Sequence, residues 1–431
     1  MNENNILYKV KGDGVIWTVF FLLCIVSVIE VYSASSNLTY KTANYWGPAL
    51  KHTGLLVVGI MFMIGTMNIK CKYFKVVTPF ALLFSLVMLI AVLIVGSVTN
   101  GAQRWIPLFF GFQFQPSEFA KGAVILAVAQ VLSAKQTDNG AERSAFKYIM
   151  WITLPFTALI GIENLSTAAL LFFNVVLLMF IGRVPKGQLG RMFGLIAILA
   201  MAGIAAIMFM GAGNEANAQT AEKAEIVETA EKTETDGGAA KTLSLWERVT
   251  HRSGTWRSRL DKFLSNEEVA PIDYDLDKDA QVAHANIAIV SSNFVGRGPG
   301  NSVERDFLSQ AFSDFIYAII IEEMGIIGAL FVCLLYIILL FRTAIIANRC
   351  ANAFPALLIM GIALLVVTQA IFNMGVAVGL LPVTGQPLPL ISKGGTSTIV
   401  NCIYIGVILS VSHSAKKKED EPQPLTARNE Q

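Results

Sequence analysis

Three carboxylates accompany one long apolar run of the chain, SQAFSDFIYAIIIEEMG, in residues 309–325. Asp314 stands at the beginning of the run, and Glu322 and Glu323 stand inside it. A helix rises about 1.5 Å per residue, which puts the two glutamates roughly 12–14 Å from Asp314. Carboxylates that share acid and base roles lie about 5–10 Å apart. We therefore expect Glu322 and Glu323 to join a polar network and Asp314 to act alone.

Two roles are open for Asp314. The helix dipole favours a carboxylate near a helix N-terminus, so Asp314 could cap the helix together with Ser313. Asp314 could instead act as a general base that takes a proton from a hydroxyl group. This second role suits its position, because the apolar run meets water there.

Two other stretches of the chain contain cationic residues, or glycines with accessible backbone amides, that could bind an anion beside Asp314. The stretch NGAQRWI contains Arg104, which suits bidentate phosphate contacts, and Trp105, which suits the membrane interface. The stretch LLPVTGQPLPLISKGGTS contains Lys393, Gly394 and Gly395, which offer positive charge and open amides. Interfacial anchoring is the alternative for Arg104 and Trp105. Together these residues predict a site at the outer boundary of a membrane for an anionic, lipid-linked substrate.

One further charged pair lies in QPSEFAK, where Glu118 and Lys121 are three residues apart. This spacing puts both side chains on one helix face, where they can neutralise each other. A charge at mid-bilayer costs roughly 2.5–3.5 kcal/mol, so such residues face a bundle interior or a wet cavity. A buried ion pair and a cavity-lining role are both open.

The elements that must position these residues are transmembrane helices. Hydrophobic residues make up 54% of the 431 residues and charged residues 15%, with a mean hydropathy of +0.57. Soluble domains carry about a quarter charged residues. The net charge of +2 gives no basic field that would attract nucleic acid. Spanning helices need about 20 apolar residues, and ten runs approach this length, near 15–34, 48–67, 76–96, 116–134, 147–162, 165–182, 193–211, 315–341, 354–374 and 396–412.

We therefore predict an all-α polytopic membrane protein with ten transmembrane helices. The first run lacks a cleavage site for a signal peptidase, so we expect a retained helix. Basic residues cluster after alternate runs, and the positive-inside rule then puts both termini in the cytoplasm. The predicted division is helices 1–7 in 1–211, an extracytoplasmic loop in 212–313, helices 8–10 in 314–414 and a cytoplasmic tail in 415–431. The five cysteines show neither disulfide nor metal-type spacing.

The long loop has three parts. Residues 212–240 are rich in Ala, Glu, Thr and Lys, and they hold too little apolar surface to offset the entropy of ordering. Residues 243–265 place apolar and aromatic residues near helical spacing with basic residues between them, which predicts an amphipathic segment at the membrane surface. The turn GRGPGNS, residues 296–302, lacks the strand and helix context of a nucleotide-binding loop. We expect this turn to re-enter the membrane.

Six stretches in this order resemble the SEDS family of FtsW, RodA and SpoVE: VYSASS, NGAQRWI, QPSEFAK, GRGPGNS, SDFIYAIIIEEMG and LLPVTGQPLPLISKGGTS. The resemblance implies ten helices and the polymerisation of lipid II into peptidoglycan glycan. It assigns the catalytic carboxylate of the family's H-T-D-F motif to Asp314, with Phe312 and Ser313 at the His and Thr positions. It puts Asn164 at the aspartate of the family's Q-P-D-x-G-T motif.

The candidate site residues follow from the motifs and the resemblance together. Gln281 matches the first glutamine of the family's Y-Q-x-x-Q segment, and His284 occupies the position of the second. The substrate-binding candidates are Arg104, Trp105, Gln115, Ser117, Glu118, Lys121, Gln281, His284, Ser392, Lys393, Gly394 and Gly395. A divalent cation, Mg²⁺ or Mn²⁺, could assist, and its ligands are not assigned. No organic cofactor is expected.

The stretches VYSASS and KGDGVIW resemble the FtsW branch of the family, which implies synthesis at the division septum. The implied partners are a class B penicillin-binding protein, which supplies the transpeptidase, and other divisome membrane proteins, but no nucleic acid. The implied location is the bacterial inner membrane, with an extracytoplasmic active site. A lipid-linked sugar flippase is an alternative, although we find no internal repeat of the transporter kind. A scaffold that only positions a partner synthase is a second alternative.

Overall fold

The computed structural model describes residues 11–34, 46–99, 102–107, 113–194, 280–308 and 311–419. Helices dominate these residues, and they are α1 Gly14–Ala34, α2 Gly47–Met67, α3 Cys71–Val95, α4 Pro116–Ala134, α5 Arg143–Glu163, α6 Leu165–Ile181, α7 Ala280–Val290, α8 Ile316–Arg349, α9 Ala353–Ala377 and α10 Thr396–Glu419. The strands are short and antiparallel, with one sheet of β1 Ser97–Thr99, β2 Ala102–Pro107 and β3 Gln113–Phe114 and another of β4 Gln136–Thr137 and β5 Gly140–Ala141.

Eight helices in the described part of the chain are long and apolar enough to cross a membrane, namely α1 to α5 and α8 to α10. The helix α6 has 17 residues and is apolar but shorter. These nine helices coincide with nine of the ten predicted runs, and the polytopic, helical class is confirmed. The seventh predicted run, 193–211, lies almost wholly outside the described residues. The segments 212–240 and 243–265 lie outside them as well.

The helices at the centre of the bundle are α9 and α10. In each of these two helices, 72% of an apolar 18-residue stretch is buried inside the bundle. The corresponding share is 33% in α3 and 28% in α5. Large apolar side chains such as Phe80 and Trp151 are exposed on those two peripheral helices. This distribution fits a bundle whose outer helices face lipid and whose inner helices carry the polar contacts described below.

The connections between helices separate into two ends of the bundle. At one end, which we call the basal face, Arg342 donates two hydrogen bonds of 3.0 Å and 2.7 Å to Asp13 Oδ2, and Ser410 Oγ donates to the carbonyl of Ile69. At the other end, which we call the site face, lie the strands β1 to β3, residues 311–315 and the irregular segment 378–395. Helix α4 begins at the site face and ends at the basal face, beside β4 and β5.

Candidate functional site

Asp314 lies at the site face in the turn 311–315 that leads into α8, and it is half-buried. The hydroxyl of Ser313 donates to its Oδ1 at 2.8 Å, and Asn373 Nδ2 donates to its backbone carbonyl at 2.8 Å. Helix α8 begins at Ile316, and its N-cap residue is Phe315, whose side chain makes no capping hydrogen bond. Asp314 therefore lies one residue before the N-cap position, and its role as a cap or as a base stays a prediction.

Arg104, on strand β2, faces the same space as Asp314. A Cβ atom at position 385 would lie 3.4 Å from Asp314 Oδ2 and 3.5 Å from Arg104 Nη1. Gly385 has a φ of +66°, which side-chain-bearing residues rarely adopt. The glycine therefore leaves open the point towards which the carboxylate and the guanidinium converge. A base and a phosphate-binding group thus border one space at the site face.

The sheet of β1 to β3 brings three further predicted residues to this region. Thr396 Oγ1 donates to the carbonyl of Gln113 at 3.0 Å, and the backbone N–H of Gln115 donates to Thr396 Oγ1 at 3.2 Å. The ring of Trp105 lies 3.8 Å from the position of a Cβ atom on Gly395. These contacts hold Trp105, Gln115 and Gly395 side by side, where α4 and α10 begin.

The segment 378–395 has irregular backbone between two spanning helices, and backbone at such a depth must find hydrogen-bond partners within the protein. Buried polar side chains supply them. Asn373 Nδ2 donates to the carbonyl of Gln386 at 2.7 Å, Gln369 Nε2 to that of Pro387 at 3.0 Å, Tyr336 Oη to that of Pro389, and Ser27 Oγ to that of Ile391 at 2.7 Å. The segment is therefore a fixed part of the bundle.

Ser392 and Lys393 connect this segment to the Asp314 turn. Ser392 Oγ donates to the carbonyl of Ser313 at 2.6 Å. The backbone N–H of Lys393 donates to the carbonyl of Phe312 at 2.9 Å. The ammonium of Lys393 lies 4.8 Å from the centre of the Phe312 ring, a cation–π distance. Burial, and secondarily the charge of Lys51, lower the pKa of Lys393. An anion beside Lys393 would offset both effects. Gly394 lies next in the chain, and its carbonyl accepts from Ser397 Oγ at 2.8 Å.

Glu118 and Lys121 form a buried ion pair. Lys121 Nζ lies 2.7 Å from Glu118 Oε1 and donates to Gln369 Oε1 at 2.7 Å, and both charged residues are 1% exposed. The contact confirms that the two side chains neutralise each other, as their spacing predicts. Lys121 donates to Gln369, and Gln369 donates to the carbonyl of Pro387. The ion pair is therefore linked to the irregular segment through Gln369. Their predicted contact with substrate stays a prediction, and their burial in this conformation argues against it. Ser117, on the preceding turn of α4, is half-buried.

Gln281 and His284 lie on α7, on the loop side of α8. The Nδ1 atom of His284 lies 2.6 Å from Glu304 Oε2, and its ring stacks on Phe307 with ring centres 5.3 Å apart. Gln281 is half-buried one turn before it. These contacts join His284 to residues 304–307, and none of them joins it to the Asp314 turn. The roles of both residues in substrate binding stay predictions.

Glu322 and Glu323 form the expected polar network with the glycine-rich turn. Glu322 accepts from the backbone N–H of Val303 at 3.0 Å, and Glu323 accepts from that of Gly300 at 3.0 Å. Arg297 Nη1 lies 3.2 Å from Glu322 Oε1, and Arg305 Nη1 lies 3.7 Å from Glu323 Oε1. Both glutamates are fully buried. The prediction that they are structural is confirmed by these contacts.

The structure adds residues to the site that were not among the substrate-binding candidates. Asn164 N-caps α6 by accepting from the backbone N–H of Thr167 at 3.2 Å, and Gln386 Nε2 donates to Thr167 Oγ1 at 2.6 Å. Asn373 and Gln369 hold the backbone of the irregular segment. Their signal was present in the sequence, because amide side chains inside an apolar helix such as α9 mark buried polar contacts. Gly385 offered no comparable signal among the chain's many glycines.

The described side chains provide few ligands for a divalent cation. Among the described residues, no three His, Cys, Asp or Glu side chains gather into a possible metal site. Near Gly385 the converging groups are one carboxylate and one guanidinium, and the positive charge of the guanidinium disfavours a cation. The divalent cation stays a prediction, and the side chains present do not by themselves fit it.

Together, the apolar helices and the polar site at one end of the bundle define a multi-pass helical membrane protein. The family model described as cell cycle protein, for FtsW, RodA and SpoVE, matches residues 13–227 and 240–417. The chain belongs to this family.

Named relatives span nearly the whole chain. A probable peptidoglycan glycosyltransferase FtsW of Aromatoleum aromaticum is 30% identical over 418 residues, which cover 93% of this chain and 88% of that protein. The peptidoglycan glycosyltransferase MrdB of Escherichia coli K12 is 25% identical, with 96% and 97% covered. Both relatives therefore align with the complete bundle described above.

Two solved structures share the fold. A chain from a study of how a peptidoglycan synthase complex coordinates polymerisation and crosslinking superposes with a TM-score of 0.66 at 22% identity, covering 94% of this chain and 98% of that one. The rod shape determining protein RodA of Thermus thermophilus superposes with a TM-score of 0.60 at 20% identity, with 94% and 98% covered. At these identities the likeness concerns the fold.

Proposed function

We propose that this chain is a peptidoglycan glycosyltransferase that polymerises lipid II into glycan strands, with Asp314 as its general base. Its family membership and the glycosyltransferase names of its relatives support the reaction. The convergence of Asp314 and Arg104 on the space beside Gly385 is the observation that carries the assignment of roles. A base and a binder of negative charge are the two groups that this reaction needs at one point.

The proposed reaction joins two lipid-linked disaccharides. The carboxylate of Asp314 takes the proton of the 4-hydroxyl of a GlcNAc unit. The resulting oxygen attacks the anomeric carbon of the MurNAc of the second molecule, and the bond from that carbon to the pyrophosphate breaks. The undecaprenyl pyrophosphate leaves with its electron pair, the anomeric centre inverts, and Asp314 later releases its proton to water.

Rate enhancement would come from more than the base. A positioned general base contributes about 10²- to 10⁴-fold, and the rest must come from substrate placement and from stabilisation of the leaving pyrophosphate. Arg104 and Lys393 suit the last task, because each places a cation next to the Asp314 turn. Lys121 is a further candidate for this task, but its ion pair with Glu118 leaves its ammonium buried and neutralised.

The test is polymerisation of purified lipid II by the reconstituted full chain, with and without a penicillin-binding partner. We expect Asp314→Asn to abolish glycan synthesis while the thermal unfolding midpoint stays near that of the wild type. Asp138→Asn removes an exposed carboxylate at the basal face and should leave the activity intact. Polymer formed by Asp314→Asn at the wild-type rate would remove Asp314 from the mechanism.

The same vesicles separate this function from its alternatives. A flippase would move lipid II across the bilayer without forming polymer. A scaffold would leave the activity of its complex intact when Asp314 is replaced by Ala. Polymer formation that depends on Asp314 is expected from the glycosyltransferase alone.

We further propose a topology of ten spanning helices with both termini in the cytoplasm, residues 212–313 as an extracytoplasmic loop and the site face outside. The alternation of basic residues and the gathering of the connections at two ends of the bundle support this orientation. In a variant whose five cysteines are replaced, we expect Leu380→Cys to react with an impermeant maleimide in intact spheroplasts. Asp138→Cys should react only after lysis, and the reverse pattern would invert the proposed orientation.

We propose that the enzyme works in the inner membrane at the division septum, with a class B penicillin-binding protein and other divisome membrane proteins. The resemblance of VYSASS and KGDGVIW to the FtsW branch supports the septal role. Labelling of the chain in dividing cells tests it, and signal along the side wall would favour an elongation role.

A further inference from the structure

His52 is a buried histidine that the proposed mechanism does not use. It lies on α2 at the end nearest the site face, and it is 1% exposed. Its Nε2 atom lies 2.7 Å from Ser27 Oγ on α1, and the same oxygen lies 2.7 Å from the carbonyl oxygen of Ile391. Three segments far apart in the chain therefore meet at one hydroxyl group.

The direction of these hydrogen bonds follows from the atoms. The carbonyl of Ile391 can only accept, so Ser27 must donate its single hydroxyl proton to it. Ser27 Oγ can then only accept from the ring, which fixes the tautomer of His52 with its proton on Nε2. The other nitrogen, Nδ1, is buried and has no hydrogen-bond partner within the described protein. A buried nitrogen without a hydrogen bond destabilises the fold. We therefore expect the position of His52 to have a structural or functional role.

The reason lies in the backbone that the pair holds. Leu390, directly before Ile391, has a φ of +67°. A leucine in the left-handed region is strained, and such strain persists only where the surroundings impose it. The carbonyl of Pro389 is held from α8 by Tyr336, and that of Ile391 is held from α1 and α2 by Ser27 and His52. The strained turn is thus fixed on both sides.

The strained turn carries Lys393. Its backbone N–H is bound to Phe312, two residues before Asp314, and its ammonium lies over the Phe312 ring. The carbonyl of Ile391 fixes the chain two residues earlier. The Ser27 and His52 pair therefore sets the point from which the ammonium of Lys393 extends, and the Asp314 turn sets the other end.

We infer that Ser27 and His52 are positioning residues that hold Lys393 in place for the pyrophosphate of the substrate. This inference rests on the proposed function for its ligand, and on the geometry alone for the holding role. Helices α1 and α2 then take part in leaving-group stabilisation without touching the substrate.

The variants follow from the hydrogen-bond directions. His52→Leu removes the donor to Ser27, whereas His52→Gln keeps an N–H donor at similar reach. Ser27→Ala removes the link to Ile391. The matched control is Ser85→Ala on α3, since Ser85 is 1% exposed and its hydroxyl donates within its own helix to Ala81 at 2.6 Å.

The first measurement is hydrogen exchange of residues 388–395 in the reconstituted full chain. We expect His52→Leu and Ser27→Ala to exchange this segment about tenfold faster, which corresponds to the loss of one net hydrogen bond. His52→Gln and Ser85→Ala should match the wild type. Equal exchange in His52→Leu and in the wild type would overturn the holding role, whether or not the chain makes polymer.

The second measurement uses lipid II as substrate and inorganic pyrophosphate as inhibitor. We expect His52→Leu to lower kcat about tenfold, to leave KM for lipid II near the wild-type value, and to raise the inhibitory concentration of pyrophosphate. His52→Gln should restore both quantities. A rate loss with unchanged pyrophosphate inhibition would overturn the link to Lys393. A wild-type chain that makes no polymer would instead overturn the proposed function. The hydrogen-exchange result would still test whether Ser27 and His52 hold the segment.

Discussion

At the scale of single residues, the two residues before Asp314 each contact a charged group of the site. The resemblance to the SEDS family puts Phe312 and Ser313 at the His and Thr positions of its motif. Ser313 donates to the carboxylate of Asp314, and Phe312 lies beneath the ammonium of Lys393. A hydroxyl and an aromatic face therefore orient the two charged groups. Under the proposed mechanism, Asp314 would then carry the proton transfer.

The buried ion pair gives a prediction at the same scale. Lys121→Met would leave Glu118 charged and buried, so we expect a loss of about 3–5 kcal/mol of unfolding free energy. The double variant Lys121→Met with Glu118→Gln should be less destabilised, because no charge remains unpaired. Chemical denaturation of the purified chain measures both.

A matched control for this prediction exists on the surface. Lys135 and Glu142 lie 3.1 Å apart, and their side chains are 37% and 52% exposed. Lys135→Met should cost about 0–1 kcal/mol, since water screens an exposed pair. Equal costs at the two pairs would contradict the role of burial.

The pairing of Glu118 with Lys121 could be predicted from the sequence, because the residue types and their spacing carry a physical signal. Asp314 was selected by its position at the start of the apolar run and by the resemblance to the SEDS family, and its role stays a prediction. The sequence marks Asn373 as a buried polar residue, but it could not place Asn373, Gln386 or Gly385 at the site, since their positions depend on contacts across distant segments. The start of α8 could not be predicted to the residue either. The N-cap residue is Phe315, one residue after Asp314.

At the scale of elements, α8 is two helical pieces in one span. Gly325 has φ +69° and ψ −172° inside the helix, and the turn at Gly296 packs directly against it. Backbone N–H groups of Arg297 and Gly298 donate to the carbonyls of Glu322 and Glu323 at 3.0 Å and 2.8 Å. The glycine-rich turn therefore satisfies carbonyls that the break in α8 exposes.

Substitution of Gly325 tests this packing. The backbone angles of Gly325 lie in a region that essentially only glycine adopts, which costs another residue about 1–3 kcal/mol. We expect Gly325→Ala to destabilise the chain by more than this, because the added Cβ would also strike the backbone of Phe294 and Gly296. Thermal unfolding in detergent measures the effect.

Gly65, on α2, provides the comparison. No atom lies within 4 Å of a Cβ atom built there, and its φ is helical. Gly65→Ala should raise stability by up to about 1 kcal/mol, because alanine loses less backbone entropy in a helix. Destabilisation by both alanines would indicate that bundle packing, and not the break in α8, causes the effect.

The helices themselves were largely predictable, because apolar runs of sufficient length leave few alternatives in a membrane. Their ends were less so. The apolar part of α8 ends near residue 341, yet the helix continues to Arg349, since helical hydrogen bonds do not require apolar side chains. The paired fifth and sixth runs are separate helices because Asn164 leaves helical geometry and caps α6.

At the scale of the whole molecule, the basal face is closed by Asp13 and Arg342. Burial alone would raise the pKa of Asp13, but hydrogen bonds and charge from Arg342 outweigh it and lower the pKa below 3.8. A lowered folded-state pKa stabilises the fold above the unfolded value. That contribution is lost as pH falls through the folded pKa.

Asp13→Asn should therefore destabilise the chain near neutral pH, and its deficit relative to the wild type should shrink as pH falls below 3.8. Thermal unfolding midpoints of the two chains across this range provide the measurement. A deficit that is constant with pH would mean that the pair acts through packing instead of charge. Asp138→Asn, at the same face, should show no deficit at any pH.

The site face brings together residues from β2, the Asp314 turn, α9 and the segment before α10. Thr396, at the start of the last helix, is bound to Gln113 near the first third of the chain. During translation, the earlier helices would leave the ribosome long before their counterparts at the C-terminal end exist. Catalysis would then have to wait for the final helix to insert, so that a prematurely terminated chain could occupy the membrane but not build wall.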